Sequence, residues 1–113
     1  MADSEILKDA ELEEVVGGSG AENILLMVRL QNEGLASFNT PLVAGNEVAA
    51  TQELKAYLNT FRVGNNEPLF DTSKIFDNHL PNQYGVILGY GGGQYKAASA
   101  DEVIANIRRY LGR

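Results

Sequence analysis

Residues 84–98 read Tyr-Gly-Val-Ile-Leu-Gly-Tyr-Gly-Gly-Gly-Gln-Tyr-Lys-Ala-Ala, and this stretch decides the fold class. Residues 84–90 are rich in aliphatic and aromatic side chains, which favour a β-strand. Residues 94–98 form a second extended segment beyond a run of glycines, so the sequence predicts a β-hairpin. Because a two-stranded hairpin alone is marginally stable, we expect helices from other parts of the chain to cover one of its faces.

The segment after the hairpin predicts a C-terminal helix. Ser99 and Glu102 have the spacing of a capping box, and Gly112 is a helix stop signal. The apolar residues between them recur at helical intervals: Val103, Ile104, Ile107 and Leu111. We expect the helix and the hairpin to meet through four side chains, Val86, Leu88, Ile104 and Ile107.

A clear amphipathic helix is predicted in the middle of the chain. It begins after a cap at Asn46 and ends near Phe61. Its apolar face consists of Ala50, Leu54, Tyr57, Leu58 and Phe61. A shorter helix is predicted after a cap at Asp71, and Pro81 ends it.

Residues 24–30 are the ambiguous segment. Ser19 and Glu22 form a second capping-box pattern, which predicts a helix from about residue 21 to residue 33 that stops at Gly34. The apolar run is equally typical of a buried strand, because periodicity alone does not separate the two. We favour the helix.

These elements predict an α+β fold, with one small domain over residues 19–113 and helices packed on a C-terminal β-hairpin. If residues 24–30 form a strand instead, they extend the hairpin to a three-stranded sheet. A flexible or helical segment, residues 1–18, precedes this domain.

Residues 7–18 have a separate character; they read Leu-Lys-Asp-Ala-Glu-Leu-Glu-Glu-Val-Val-Gly-Gly. Wound as a helix, four side chains fall within roughly 140° of one another and make a narrow face. These are Leu7, Glu11, Leu12 and Val15. Gly17 and Gly18 then end the helix, since glycine has high backbone entropy and no side chain to pack. The thin backbone that results is one that a protease cleft can accept.

This pattern resembles the double-glycine leader peptides of bacteriocin-type precursors. The matching positions are Leu7, Glu11, Leu12, Val15, Gly17 and Gly18. Lys8 departs from the family, which often has serine there, but it lies off the docking face. The resemblance implies that the leader helix docks on the cysteine peptidase domain of an ABC exporter, which cuts between Gly18 and Ser19. It also implies a cytoplasmic precursor whose residues 19–113 are secreted as a bacteriocin-like or signalling protein with an extracellular target.

Charge changes at the same position. Residues 1–18 contain six acidic residues and one basic residue, whereas residues 19–113 have a net charge of −1. A nearly neutral domain lacks the concentration of Lys and Arg that phosphate binding needs, which argues against nucleic acid as a partner.

The composition excludes several kinds of chemistry. The chain has no cysteine, so disulfides, thioether rings, thiolate metal sites and a cysteine nucleophile are ruled out. No stretch has the length of apolar sequence that a transmembrane helix needs, and no basic start and apolar run of a general secretory signal are present. We predict no catalytic residue, no cofactor and no metal.

Two rival interpretations stay open. In the first, the chain is a cytoplasmic protein-interaction module whose N-terminal helix is structural and is not cleaved. In the second, the chain is a small hydrolase centred on His79, the single histidine, with Ser73 or Ser99 as nucleophile and Asp71 or Asp77 as the acid. Nothing in the spacing of these residues fixes the geometry of such a triad.

Overall fold

The computed structural model describes residues 18–78, 80–88 and 93–113. Within these ranges the chain forms helices and two antiparallel sheets, which confirms the predicted α+β class. The helices are α1 (Gly18–Asn32), α2 (Glu47–Leu58) and α3 (Ala100–Leu111). The strands are β1 (Arg62–Val63), β2 (Glu67–Pro68), β3 (Phe70–Asp71), β4 (Tyr84–Ile87) and β5 (Tyr95–Ala98).

Backbone contacts divide the chain into two compact units. In the described residues, the first unit comprises residues 18–54 and Phe76–Asn82, and the second comprises Lys55–Ile75 and Gln83–Arg113. The boundary falls within α2.

Helix α1 belongs to the first unit, and it confirms the helical interpretation of residues 24–30. Ile24, Met27 and Leu30 are completely buried, and Leu26 is nearly so. A helix buried on almost every side loses the alternation of apolar and polar residues, which explains why periodicity could not separate helix from strand. Gly34, at φ 73°, ends the helix as predicted.

The C-terminus of α1 has a Schellman motif. Leu35 N–H donates to the Leu30 carbonyl over 2.9 Å, and Gly34 N–H donates to the Gln31 carbonyl over 3.0 Å. Because the left-handed conformation suits glycine, the sequence signal and the observed stop have the same physical cause.

The connection between α1 and α2 is held by side chains from both helices. Gln31 Oε1 accepts a hydrogen bond from Phe38 N–H over 2.8 Å. The carboxylate of Glu53 accepts from Asn39 N–H over 2.7 Å and from Thr40 N–H over 2.9 Å. Burial raises the pKa of Glu53, but these donors outweigh it, so the pKa lies below its ordinary value.

Helix α2 has the predicted apolar face. Ala50, Leu54 and Leu58 are buried. The helix ends at Leu58, before the predicted end at Phe61, because Asn59 and Thr60 form a turn.

The second unit contains both sheets. Strands β1 and β2 form a short hairpin around Gly64–Asn66, where Asn65 and Asn66 have positive φ. The larger sheet has the order β3-β4-β5, with Phe70 opposite Val86 and Ile87 opposite Tyr95. The predicted C-terminal hairpin is therefore confirmed. Gly89–Gly92, which include most of its predicted turn, lie outside the described residues.

The sheet has three strands, and its third strand is β3; residues 24–30 are helical, as favoured, so the alternative in which they extend the sheet does not apply. The predicted short helix after Asp71 is wrong, because Asp71 pairs with Gly85 in the sheet and residues 72–78 form turns and irregular backbone. The Asp71 carboxylate accepts hydrogen bonds from Ser73 N–H and the Ser73 hydroxyl, over 2.9 Å and 2.7 Å. These bonds close a local turn that resembles a helix cap in sequence.

Gly85 in β4 leaves room for side chains from the two flanking strands, β3 and β5. A Cβ at this position would lie 2.8 Å from Asp71 Cβ and 3.4 Å from Tyr95 Cβ. A side chain does not fit there without movement of the neighbouring strands.

Helix α3 begins and ends as predicted. Ser99 and Glu102 form a complete capping box, and Gly112 adopts the left-handed conformation at φ 72°. Val86, Ile104 and Ile107 are buried, in agreement with the expected contact between helix and sheet, but Leu88 is 59% exposed. The prediction for Leu88 is wrong because β4 ends at Ile87, so the alternation of faces does not extend to it.

An aromatic cluster adds to the core of this unit. The ring of Phe61 makes edge contacts with three other rings, at centroid distances of 5.0 Å to Tyr57, 5.8 Å to Phe70 and 4.9 Å to Tyr110. Edge-to-face contacts of this kind add to the stabilisation from burial.

Candidate processing site

The predicted processing site is only partly within the described residues. Leu7, Glu11, Leu12, Val15 and Gly17 lie outside them. Gly18 and Ser19 are described, and Gly18 is the first residue of α1. The predicted scissile bond between them therefore lies at the start of a helix, rather than in a linker before it.

Ser19 is not the helix cap that the sequence predicts. It lies inside α1 and is 1% exposed, and its Oγ has no hydrogen-bond partner among the described residues. Glu22 is exposed. The predicted capping box at Ser19 and Glu22 is wrong because the helix begins earlier, at Gly18, which places Ser19 within its first turn.

The backbone of Ser19 is bound by the segment Phe76–Asn82. Ser19 N–H, the amide of the predicted scissile bond, donates to the Asn78 carbonyl over 3.0 Å. Asn82 Nδ2 donates to the Ser19 carbonyl over 3.2 Å. In an α-helix the carbonyl of Gly18 also accepts from the residue four positions later. The backbone polar groups on both sides of the predicted scissile bond are therefore hydrogen-bonded within the fold.

A buried polar cluster, defined by Asn23, Thr51, Asn82 and the backbone of Phe76, anchors this segment to α1. Asn23, which is completely buried, donates through Nδ2 to Thr51 Oγ1 over 2.9 Å and to the Phe76 carbonyl over 2.7 Å. Asn23 Oδ1 accepts from Asn82 Nδ2 over 2.7 Å. Asn82 Oδ1 accepts from Phe76 N–H over 2.6 Å. Both side-chain amides of the cluster, buried Asn23 and half-buried Asn82, are paired, as burial of polar groups requires.

Gly20 contributes a close approach on the same turn. A Cβ at Gly20 would lie 2.7 Å from Glu47 Cβ and 3.2 Å from the Asp77 carbonyl oxygen. A residue with a side chain does not fit this position without movement of its neighbours, so Gly20 has a packing role, separate from the predicted leader role of Gly17 and Gly18.

Sequence reasoning missed the buried polar cluster. The one available signal was Asn23 itself, a polar residue within a run of apolar positions that the structure buries. Asn82 follows Pro81 and carries no signal of its own, because two of its partners, Ser19 and Asn23, come from a distant part of the chain.

The residues of the hydrolase hypothesis have structural roles where they are described. Ser73 donates to Asp71, and its N–H and hydroxyl hold the pKa of the Asp71 carboxyl below its ordinary value. Ser99 caps α3. His79 lies outside the described residues, so no geometry relates it to either serine or to Asp77.

The second unit contains an open cleft of about 320 Å³. Its lining residues are Lys55, Asn59, Pro68, Phe70, Asp71, Thr72, Ser73 and Tyr95. The Tyr95 hydroxyl donates to the Pro68 carbonyl over 2.7 Å, and Asp71 is engaged by Ser73. Much of the polar lining is therefore used to hold the cleft's own shape.

The described residues contain no group of three or more His, Asp or Glu side chains arranged to hold a metal ion. Across the same residues, no helix has both the length and the apolar character needed to cross a bilayer. Comparison with protein-family models, curated proteins and solved structures finds no match for this chain.

Proposed function

We propose that this chain is the precursor of a small secreted bacterial protein, exported and cleaved after Gly18 by the peptidase domain of an ABC exporter. The observation that carries the proposal is the spacing of four docking residues before the double glycine. Those residues are Leu7, Glu11, Leu12 and Val15. The acidic charge of residues 1–18, against a nearly neutral remainder, supports a functional boundary at the same position.

The chemistry at the cut follows from the double glycine. The peptidase thiolate attacks the Gly18 carbonyl carbon to form a thioester, and the Gly18–Ser19 bond breaks with proton transfer to the Ser19 nitrogen. Water then hydrolyses the thioester and releases the leader. Gly17 and Gly18 present no side chains to the walls of a narrow cleft. The product has a new ammonium group on Ser19, beside the positive end of the α1 dipole, where a cation is unfavourable.

Residues 19–113, the product of this cleavage, contain nearly all of the described fold. We propose that they act by binding an extracellular target rather than by catalysis, either as a bacteriocin-like protein or in signalling. The nearly neutral charge supports a partner other than nucleic acid. Export in an unfolded state further requires marginal stability, so an unfolding free energy well above about 10 kcal/mol would count against this route.

A second candidate function is a cytoplasmic protein-interaction module whose N-terminal helix is structural and stays attached. The observation that favours it is the burial of Ser19 and the two hydrogen bonds to its backbone from Asn78 and Asn82. A bond held in this way is protected while the fold is intact. The two functions differ in whether a product beginning at Ser19 exists.

The deciding experiment is the mass and N-terminal sequence of the protein in the medium of producing cells. A secreted product that begins at Ser19 supports the precursor function, and intact chain found only inside the cells supports the interaction module. Gly18→Pro should abolish the product while preserving the fold, because proline is tolerated in the first turn of a helix. Leu12→Ala should reduce processing, whereas Lys8→Ala, off the docking face, should leave it unchanged.

A further inference from the structure

We propose that Asn78 and Asn82 shield the Gly18–Ser19 bond through their hydrogen bonds to Ser19, so that processing requires local opening of the first turn of α1. The inference rests on the proposed function, because it concerns the same bond. It adds a regulatory property: the fold of the mature domain sets the rate at which its own leader is removed.

The amide of the predicted scissile bond is hydrogen-bonded within the fold. Ser19 N–H donates to the Asn78 carbonyl over 3.0 Å, and the Ser19 carbonyl accepts from Asn82 over 3.2 Å. A peptidase cleft binds its substrate as extended backbone, with the amides free to bond to the enzyme. Both hydrogen bonds must therefore break before the bond can enter the cleft.

The residues after the cut are also closely packed. Ser19 is 1% exposed, and Gly20 lies so close to Glu47 and Asp77 that an added Cβ would contact both. The two residues that follow the cut are thus covered by the fold. The helical backbone at Gly18 is itself incompatible with an extended substrate.

Asn82 is the residue that holds the shield in place. It donates to the Ser19 carbonyl and to Asn23, and it accepts from Phe76 N–H. When opening and closing are fast relative to cleavage, the rate of cleavage follows the population of the open form. A change in the stability of the first turn consequently appears directly in the rate.

The experiment uses the full chain and a purified peptidase domain from a double-glycine exporter, with the product beginning at Ser19 measured by mass spectrometry. Asn82→Ala removes three hydrogen bonds around the first turn. It should raise the cleavage rate at least about tenfold, since each net hydrogen bond is worth about fivefold. Glu53→Ala is the matched control, because it removes two hydrogen bonds in the same unit, to Asn39 and Thr40, but none at Ser19. Glu53→Ala should change the cleavage rate by less than about twofold, because it removes no hydrogen bond at Ser19.

A synthetic peptide of residues 1–24 separates the inference from the proposed function. Such a short segment forms little helix by itself, so it has no shield to open. If the peptidase does not cut the peptide, the proposed function is refuted. If it cuts the peptide and the intact full chain equally fast, the proposed function stands and the shielding is refuted. The shielding is supported if the peptide is cut faster than the full chain and if Asn82→Ala in the full chain brings its cleavage rate closer to that of the peptide.

Hydrogen exchange of the wild-type chain provides a test that needs no variant. The Ser19 amide should exchange more slowly than a free amide, and low concentrations of urea should increase its exchange and the cleavage rate in parallel. Cleavage that stays constant while Ser19 exchange accelerates would overturn the inference.

Discussion

Substitution of Asn23 by aspartate is the sharpest test of the buried polar cluster. The two side chains have almost the same size, so the change leaves packing intact and alters only hydrogen bonding and charge. Asn23 Nδ2 donates to Thr51 Oγ1 over 2.9 Å and to the Phe76 carbonyl over 2.7 Å. An ionised carboxylate donates to neither group.

The size of the effect follows from two contributions. Loss of the donated hydrogen bonds costs about 1 kcal/mol for each. Burial also disfavours the charged form and raises the pKa of the introduced carboxyl above its unfolded value of about 3.9. At pH 7 the contribution from burying the charge cannot exceed about 4 kcal/mol, the cost of protonating the carboxyl from its unfolded pKa. If burial of the charge costs more than that, the folded state binds a proton instead. We therefore expect Asn23→Asp to lower the free energy of unfolding by about 3–5 kcal/mol at pH 7.

The pH dependence has a definite sign. Below the unfolded pKa the carboxyl is neutral in both states, so the charge contribution is absent. As pH rises from the unfolded pKa toward the raised folded-state pKa, stability is lost, because the unfolded state releases its proton first. The deficit relative to wild type should therefore be about 1 kcal/mol at pH 3.5, from the one donor that is missing, and largest at pH 7.

The measurement is urea unfolding followed by circular dichroism at both pH values. Asn32→Asp is the control, since Asn32 is exposed at the end of the same helix and should lose less than about 1 kcal/mol through the helix dipole. A deficit at pH 7 equal to that of the control would refute the assignment of Asn23 to a buried, fully bonded site. So would a deficit that does not shrink toward pH 3.5.

Three further predictions concern the same unit. Ser19→Ala should raise the free energy of unfolding by up to about 1 kcal/mol, measured by urea unfolding, because its buried hydroxyl has no described partner; destabilisation would contradict this. Gly20→Ala should destabilise by about 1–3 kcal/mol despite the higher helix propensity of alanine, since the new Cβ meets Glu47; a rise in the melting temperature would contradict the close approach. Glu53→Gln should reduce the loss of stability on acidification, because the lowered pKa of Glu53 makes its contribution present above its unfolded pKa and lost as pH falls through the folded value. An unchanged acid-unfolding profile would contradict that contribution.

The predictions that succeeded depend on neighbours in the sequence. The capping box at Ser99 and the stop at Gly112 are local hydrogen-bond and dihedral requirements, and both are confirmed. The prediction of the β4–β5 hairpin is confirmed for the same reason, because its two strands are neighbours in the sequence.

The predictions that failed depend on distant partners. Ser19 and Glu22 have the same spacing as Ser99 and Glu102, but they form no capping box. Asn78 and Asn82 are hydrogen-bonded to the start of α1, and Ser19 lies within its first turn. The Asp71 carboxylate accepts the hydrogen bond that closes a local turn. The backbone at Asp71 nevertheless pairs with Gly85 as a strand, and no helix follows.

The sequence by itself determined the α+β class, the helical ends set by glycine and serine, and the double-glycine pattern on which the proposed function rests. Tertiary structure alone decided that Ser19 is buried and that Asn23 and Asn82 meet, although they are 59 positions apart in sequence. The physical reason is that local signals specify dihedral angles and short-range hydrogen bonds. The pairing of buried amides instead depends on which distant backbone comes within hydrogen-bonding distance after the chain folds.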